Sequence, residues 1–196
     1  MRQDVSESKI ERKTKETDIS VALNIYGDGN VDVDTGIGFF DHMLTALAVH
    51  AGWDMSLHAK GDLDVDGHHT VEDVGIALGQ ALKEALGDKS GVARYGYFTL
   101  PMDESLATAS LDLAGRAYLV FDADFRTESI GELDSTLIVE FFRAFAFNAE
   151  MTLHARVVYG VNDHHKAEAL FKALAHALRN ATTKTGGGVL SSKGVL

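Results

Sequence analysis

The sequence predicts an α+β fold made of two copies of one β-β-α-β-α unit, with the helices packed between two sheets. Three observations carry that expectation. A five-residue pattern occurs twice, HHTVE at His68–Glu72 and HHKAE at His164–Glu168, at an offset of 96. MSLHA at 55–59 returns as MTLHA at 151–155 with the same offset. Leu23 and Gly27 return as Leu111 and Gly115 at an offset of 88, so an insertion is expected around Asp122 to Asp134. Self-similarity at a near-fixed spacing marks a duplicated architecture. The halves are read as 1–93 and 94–196. Neither has enough elements to cover its own sheet, so the two are expected to share one pseudo-two-fold core as a single compact unit.

The elements follow in chain order. Ile19, Val21, Leu23 and Ile25 alternate with polar or small residues, the period of a half-buried strand. Gly27-Asp28-Gly29-Asn30 reads as a turn, and Val31 and Val33 open another strand. GFFDHMLTALAVHAG (38–52) reads as an aromatic-led helix, and MSLHA as the strand after it. From His68 onward, Val71, Val74, Leu78, Ala81 and Leu82 recur at helical spacing. ATASLDLAGRAYLVFDA (107–123), VEFFRAFAFNAE (139–150), MTLHA and a helix carrying Leu170, Phe171, Leu174, Ala177 and Leu178 repeat the order. The amphipathic segments Leu44 to Ala51 and Val71 to Leu86 are expected to lie against the sheets.

Composition narrows the function classes. A hydrophobic content of 45% allows a sizeable core. With no cysteine there is no disulfide framework, thiolate chemistry or cysteine-ligated metal to consider. A net charge of −11 argues against a general nucleic-acid binder, whose footprint would be basic. No apolar stretch has the length of a signal peptide or a membrane span, so a cytoplasmic protein without membrane or nucleic-acid partners is expected.

The repeated motif carries the chemistry. On a helix, His68 and Glu72 share a face, as do His164 and Glu168. His69 and His165 sit about 100° further round, so adjacent imidazoles diverge and suit two different metal ions better than one. Nitrogen and oxygen donors without sulfur suit manganese, zinc or iron, with manganese favoured where carboxylates join imidazoles. A dinuclear site is therefore expected. His42 adds a third imidazole if it faces the site, and Glu140 is an oxygen donor in the matching region of the second half. His58 and His154 are the paired strand histidines, and His176 is read as a surface residue. His50, near a helix end, is read either as a cation partner for that end or as a substrate contact. In so acidic a chain, Arg94, Arg116 and the Ser191-Ser192-Lys193 segment stand out as suitable partners for a phosphate.

These residues are specific enough to name a likeness. The chain resembles the imidazoleglycerol-phosphate dehydratases of histidine biosynthesis over essentially its full length. The matching segments are RxTKET (12–17), FFDHML (39–44), DGHHTVEDVGIALG (66–79), PMDE (101–104), GRAY (115–118), HHKAEALFKALAHAL (164–178) and SSKGVL (191–196). The resemblance implies a duplicated fold like that of the ribosomal protein S5 domain 2. It implies a manganese-dependent hydro-lyase converting imidazole glycerol phosphate to imidazole acetol phosphate and water. It also implies two Mn²⁺ per subunit, trimers assembled into an octahedral shell, and active sites at subunit interfaces. The length is expected to leave no room for a fused phosphatase domain.

Carried over by position, the implied metal ligands are His42, His68, His69, Glu72, Glu140, His164, His165 and Glu168. Glu140 departs from the family pattern, which has a histidine there, and if it does not bind, His154 is a nearby candidate that the family alignment does not favour. The resemblance gives Glu16 an acid/base role, with Glu72 and Glu168 as catalytic carboxylates. Arg94, Arg116, Ser191, Ser192 and Lys193 are implied to hold the phosphate. Met43 and His50 are implied to line the pocket with Glu16, His42, His68, His69 and Glu72. In the implied mechanism the substrate ring is held as an imidazolate between two metals, so that it pushes electrons toward the departing hydroxyl. Two rivals use similar residues, a dinuclear phosphoesterase and a metal-storage shell protein. The second has no need of Arg94, Arg116 or SSKG.

Overall fold

The computed structural model describes residues 6–192. The first half runs β1 (Glu7–Lys13), β2 (Thr17–Asn24), β3 (Val31–Asp34), α1 (Gly38–Ala51), β4 (Asp54–Gly61) and α2 (His68–Leu86). The second runs β5 (Tyr95–Met102), β6 (Ser105–Asp112), β7 (Tyr118–Asp122), a short hairpin of β8 (Ser129–Ile130) and β9 (Leu133–Asp134), α3 (Leu137–Asn148), β10 (Thr152–Tyr159) and α4 (Asp163–Thr182). The hairpin lies in the stretch where the two offsets required an insertion. The duplicated β-β-α-β-α order is present, and each half opens with one further strand, β1 or β5. Alternation in β1 is masked because charged residues occupy its solvent face and two of its inward positions are Ser8 and Ile10.

The two four-stranded sheets have the same topology, β1-β2-β4-β3 and β5-β6-β10-β7. In each, the first three strands pair antiparallel and the last pairs parallel to its neighbour. The Gly27–Asn30 turn therefore does not close a hairpin, because β4 lies between β2 and β3. Asp54 receives the backbone N–H groups of Asp28 and Asn30, which holds that turn to the start of β4.

Burial follows the strand period. In β2, Thr17, Ile19, Val21 and Leu23 face inward while Asp18 and Ser20 face solvent. α2 covers the first sheet and α4 the second, and the helices cross between halves, α1 against α4 and α2 against α3. An aromatic cluster ties the halves together, with Phe40 edge-on to Phe141 at 5.4 Å and Phe141 stacked on Phe171 at 5.2 Å. All three are fully buried, and truncating one such ring costs about 3–5 kcal/mol. α2 and α3 approach at backbone distance because Gly75 and Gly79 lie between them. A Cβ on Gly79 would stand 2.7 Å from the Phe145 carbonyl oxygen.

Candidate metal centre and active site

The strongest convergence of donors is at the head of α4. Asn162 caps that helix, its side-chain oxygen accepting the N–H groups of His164 and His165 at 2.9 and 3.4 Å. Asp163 accepts the N–H groups of Arg126 and Thr127 and an ammonium proton of the buried Lys166, so the first turn is fixed on two sides. From that turn His164 reaches Glu168 at 3.1 Å, and His42 on α1 reaches the same carboxylate oxygen at 3.6 Å. The ligand atoms of His42, His164 and Glu168 lie within 4.8 Å of one another. Among the described residues they are the one set of three His, Asp or Glu donors that close.

Phe39 walls the cluster, its ring 5.0 Å from that of His164. Burial alone would raise the Glu168 carboxyl, but Lys172 at 2.6 Å and the His42 and His164 imidazoles hold it below the ordinary range. It is therefore ionised at neutral pH, as a ligand must be. Two imidazoles and a buried carboxylate fit a divalent cation of the manganese, iron or zinc kind.

The head of α2 repeats the motif less tightly. His68 Nε2 lies 3.8 Å from Glu72, and Glu140 on α3 is ion-paired to Arg143 rather than joined to them. As in α4, the neighbouring rings diverge. His68 and His69 are inclined at 85°, His164 and His165 at 82°.

The diverging imidazoles meet a second set of carboxylates. His69 Nδ1 is 3.0 Å from Asp62 and 3.9 Å from Glu16. His165 Nδ1 is 2.7 Å from Glu104. A hydrogen bond to an ionised carboxylate puts the proton on Nδ1, leaves Nε2 as the donor for a ligand, and raises the basicity of the ring. Glu16 and Glu104 are repeat equivalents at the strand offset of 88, yet they differ in freedom. Glu104 accepts the N–H groups of Val161 and Asn162 and sits well below the carboxylate range, chiefly through those contacts and His165. Glu16 has a half-exposed side chain with no such anchors.

The turn bearing Glu16 is nonetheless placed. Thr14 Oγ1 accepts the N–H groups of Glu16 and Thr17, while Thr17 and Arg12 both bond Asp73 on α2, at 2.5 and 2.8 Å. RxTKET is thus a clamp that brings one free carboxylate to His69.

The basic residues lie elsewhere. Arg94 is almost buried, with its guanidinium bonded twice to Asp112 and once to the Leu190 carbonyl oxygen at 2.6 Å. In this chain it anchors the C-terminal tail. Arg116 is exposed, 3.7 Å from Asp112, and Ser191 and Ser192 follow at the surface. Lys193 lies outside the described residues. Met43 is fully buried in the core. His154 is exposed, on the face of β10 opposite the helices, and His58 pairs with Asp32 at 3.3 Å.

The surface reading of His176 is corrected. It is half-buried, stacked on Phe98 at 4.4 Å and 3.3 Å from His50 Nδ1. The charged residues of α4 suggested a solvated face, but His176 lies on the stripe turned to α1. Asp62, Asp73, Glu104, Asp163 and Lys172 were not foreseen as site residues. Glu104 alone had a signal, its position 88 residues beyond Glu16.

Comparison with known proteins identifies the family. Residues 35–178 match the family model described as imidazoleglycerol-phosphate dehydratase. A relative of that name from Clostridium botulinum (strain Hall) is 56% identical over 191 residues, covering 96% of this chain and 97% of its own. One from Clostridium kluyveri is 55% identical over 190 residues, covering 96% and 98%. The crystal structure of the Staphylococcus aureus imidazoleglycerol-phosphate dehydratase superposes with a TM-score of 0.81 at 39% identity, covering 91% of this chain and 99% of that one. The Pyrococcus furiosus enzyme in complex with (S)-C348 gives 0.84 at 38% identity, covering 95% and 100%. The chain belongs to the imidazoleglycerol-phosphate dehydratase family of hydro-lyases.

Proposed function

We propose that this chain dehydrates imidazole glycerol phosphate to imidazole acetol phosphate and water in histidine biosynthesis, as a cytoplasmic enzyme that uses two divalent cations per subunit, manganese foremost. The observation that carries the reading is the closure of His42, His164 and Glu168 in a chain of this family. Those three residues would hold one cation. His68 and Glu72, with Glu140 once released from Arg143, are the equivalent set for a second. His69 and His165, each held at Nδ1 by a carboxylate, would supply Nε2 to either, His165 giving up its 3.5 Å pairing with Asp103. Bound cations supply Lewis acidity toward the substrate ring.

The reaction removes a proton from one glycerol carbon and hydroxide from its neighbour, and the resulting enol becomes the ketone. Glu16 is the group of this chain suited to the proton transfers. It is free and placed beside His69, whereas Glu104 is bound on several sides. Phe39 and the packed helices exclude water from one side of the cluster.

Of the residues assigned to phosphate, Arg94 and Arg116 lie at the other end of the protomer, both beside Asp112. The Arg94 N–H group bonds the Ala181 carbonyl oxygen at 2.8 Å, and α4 rises about 20 Å between Glu168 and Ala181. The substrate spans about 10 Å at ordinary bond lengths. One substrate therefore cannot reach both Glu168 and Arg94 in one copy, which supports a homo-oligomer with sites shared between subunits; the trimer-based octahedral shell is what the family likeness implies.

The test is a product assay. Metal-stripped protein receives imidazole glycerol phosphate with and without Mn²⁺, and the keto product and free phosphate are both followed. Manganese-dependent ketone without phosphate release is the expected result. Release of phosphate would replace the reading by a phosphoesterase, and cation binding with neither product by a storage protein.

A further inference from the structure

Each helix crossing carries a polar contact beyond its donor cluster. Between α2 and α3, Gln80 donates to Asn148 Oδ1 at 3.4 Å. Between α1 and α4, His50 Nδ1 faces His176 Nε2 at 3.3 Å. The positions correspond across the repeat. Each contact lies eight residues past the site residues on both of its helices, His50 and His176 after His42 and Glu168, Asn148 and Gln80 after Glu140 and Glu72. Eight residues are about 12 Å of helix. Equal steps on both helices mean that α1 and α4 run side by side in one direction, touching at the donor cluster and again two turns later.

The contacts differ in what acid does to them. An amide pair has no titratable group. Two imidazoles bond only while one nitrogen carries a proton and the other a lone pair. Protonation of both rings would set two cations against each other on a half-buried stripe, with Phe98 of β5 stacked on one ring. Burial lowers both rings. Lys172 lowers His50 further while Glu168 raises it, and Arg179 lowers His176. β5 contributes no charge to the contact.

We propose that His50 and His176 form a one-proton clamp across α1 and α4 that positions His42 against His164 and Glu168, and that acid opens it. His176 is then a positioning residue. The proposal rests on the cation reading of the cluster.

The sign follows from the lowered rings. The clamp's stabilisation is complete above the ordinary histidine range and is lost as pH falls below about 6.5. The test uses metal-stripped full-length chain, Mn²⁺ as the probe, and the variants His176→Ala and His176→Gln. Calorimetric affinity and the thermal midpoint are measured from pH 7.5 to 5. His176→Ala should bind Mn²⁺ about tenfold more weakly at pH 7.5, the size of effect seen when a residue orienting a metal ligand is lost. His176→Gln, which restores an amide partner for His50, should stay within about threefold of wild type and lose less thermal stability between pH 6.5 and 5. Wild-type affinity in a folded His176→Ala chain would overturn the proposal, as would a His176→Gln midpoint profile superimposed on wild type. If wild type binds no Mn²⁺ at all, the cation reading fails, and the midpoint profiles judge the clamp alone.

Discussion

Replacing Glu168 by glutamine tests the cation centre most directly. One carboxylate oxygen serves both His164 and His42, at 3.1 and 3.6 Å, and the other holds Lys172 at 2.6 Å. The side chain is nearly buried, so its charge is only partly screened. At a separation of about 4 Å and an effective dielectric of about 20, one negative charge and a divalent cation attract by about 8 kcal/mol. Water taking the place of the carboxylate returns more than half of that. The amide also leaves the Lys172 ammonium without its counter-ion beside the incoming cation. A net loss of about 3 kcal/mol, roughly 100-fold in affinity, is expected. Titration calorimetry of metal-stripped chain with Mn²⁺ reads it, with circular dichroism confirming the fold. Glu168→Asp, which keeps the charge on a shorter arm, should retain more affinity than the amide. Glu168→Gln binding Mn²⁺ within about threefold of wild type would refute the assignment of this cluster as a cation site.

Three further outcomes follow from other contacts. Glu16→Gln should lower kcat by about 10²–10⁴ while leaving Mn²⁺ affinity unchanged, since Glu16 is assigned proton transfer and not ligation. An equal loss of cation binding would move it into the ligand set. Gly79→Ala should destabilise the chain by about 1–3 kcal/mol in chemical denaturation, because the new methyl meets the Phe145 carbonyl and the Asn148 side chain at 2.7 and 2.8 Å. Asp163→Asn should cost about 3–5 kcal/mol, because it strands the buried Lys166 ammonium. Burial would raise Asp163, but Lys166, Thr127 and Arg126 hold it at about 2. Its stabilisation is present above the ordinary aspartate range, is lost as pH falls from about 4 through 2, and should be absent from the acid limb of the variant.

The duplicated order and the insertion were legible because offsets are independent of local propensity. Burial then enforces alternation in strands such as β2 and the helical stripe after His68. β1 was not legible, since its outward face is all charge and its inward face includes a serine bonded to the Ala81 carbonyl of α2. Nor does the sequence distance between β2 and β3 reveal that β4 intervenes. That is decided by the parallel crossover through α1. In the site, the two HHxxE motifs were visible as types at spacings, while Glu16 was singled out only by the family resemblance. The partners that aim them were not. Asp62, Asp73 and Asp163 are single acidic residues in a chain rich in them, and only the folded turns bring them to His69, Thr17 and Lys166. The burial of Arg94 behind the tail is likewise a tertiary fact.

Glu140 is where the two halves part most clearly, and its arginine partner makes its role measurable. His42 of the first half meets His164 and Glu168 directly, whereas Glu140 of the second is held by Arg143 one turn away. Arg143 is half-exposed and Glu140 about one-quarter exposed, so the pair lies in the range of surface ion pairs, at most about 1 kcal/mol. If Glu140 turns to join His68 and Glu72 around a second cation, it gives up that pair, and the apparent affinity is lowered by up to about fivefold. Arg143→Ala removes the competing contact without touching a donor. The second Mn²⁺ should then bind up to about fivefold tighter, with the first unchanged, in a calorimetric titration that resolves two events. An unchanged second event would show that Glu140 stays with the helix surface and that the second cation is held without it.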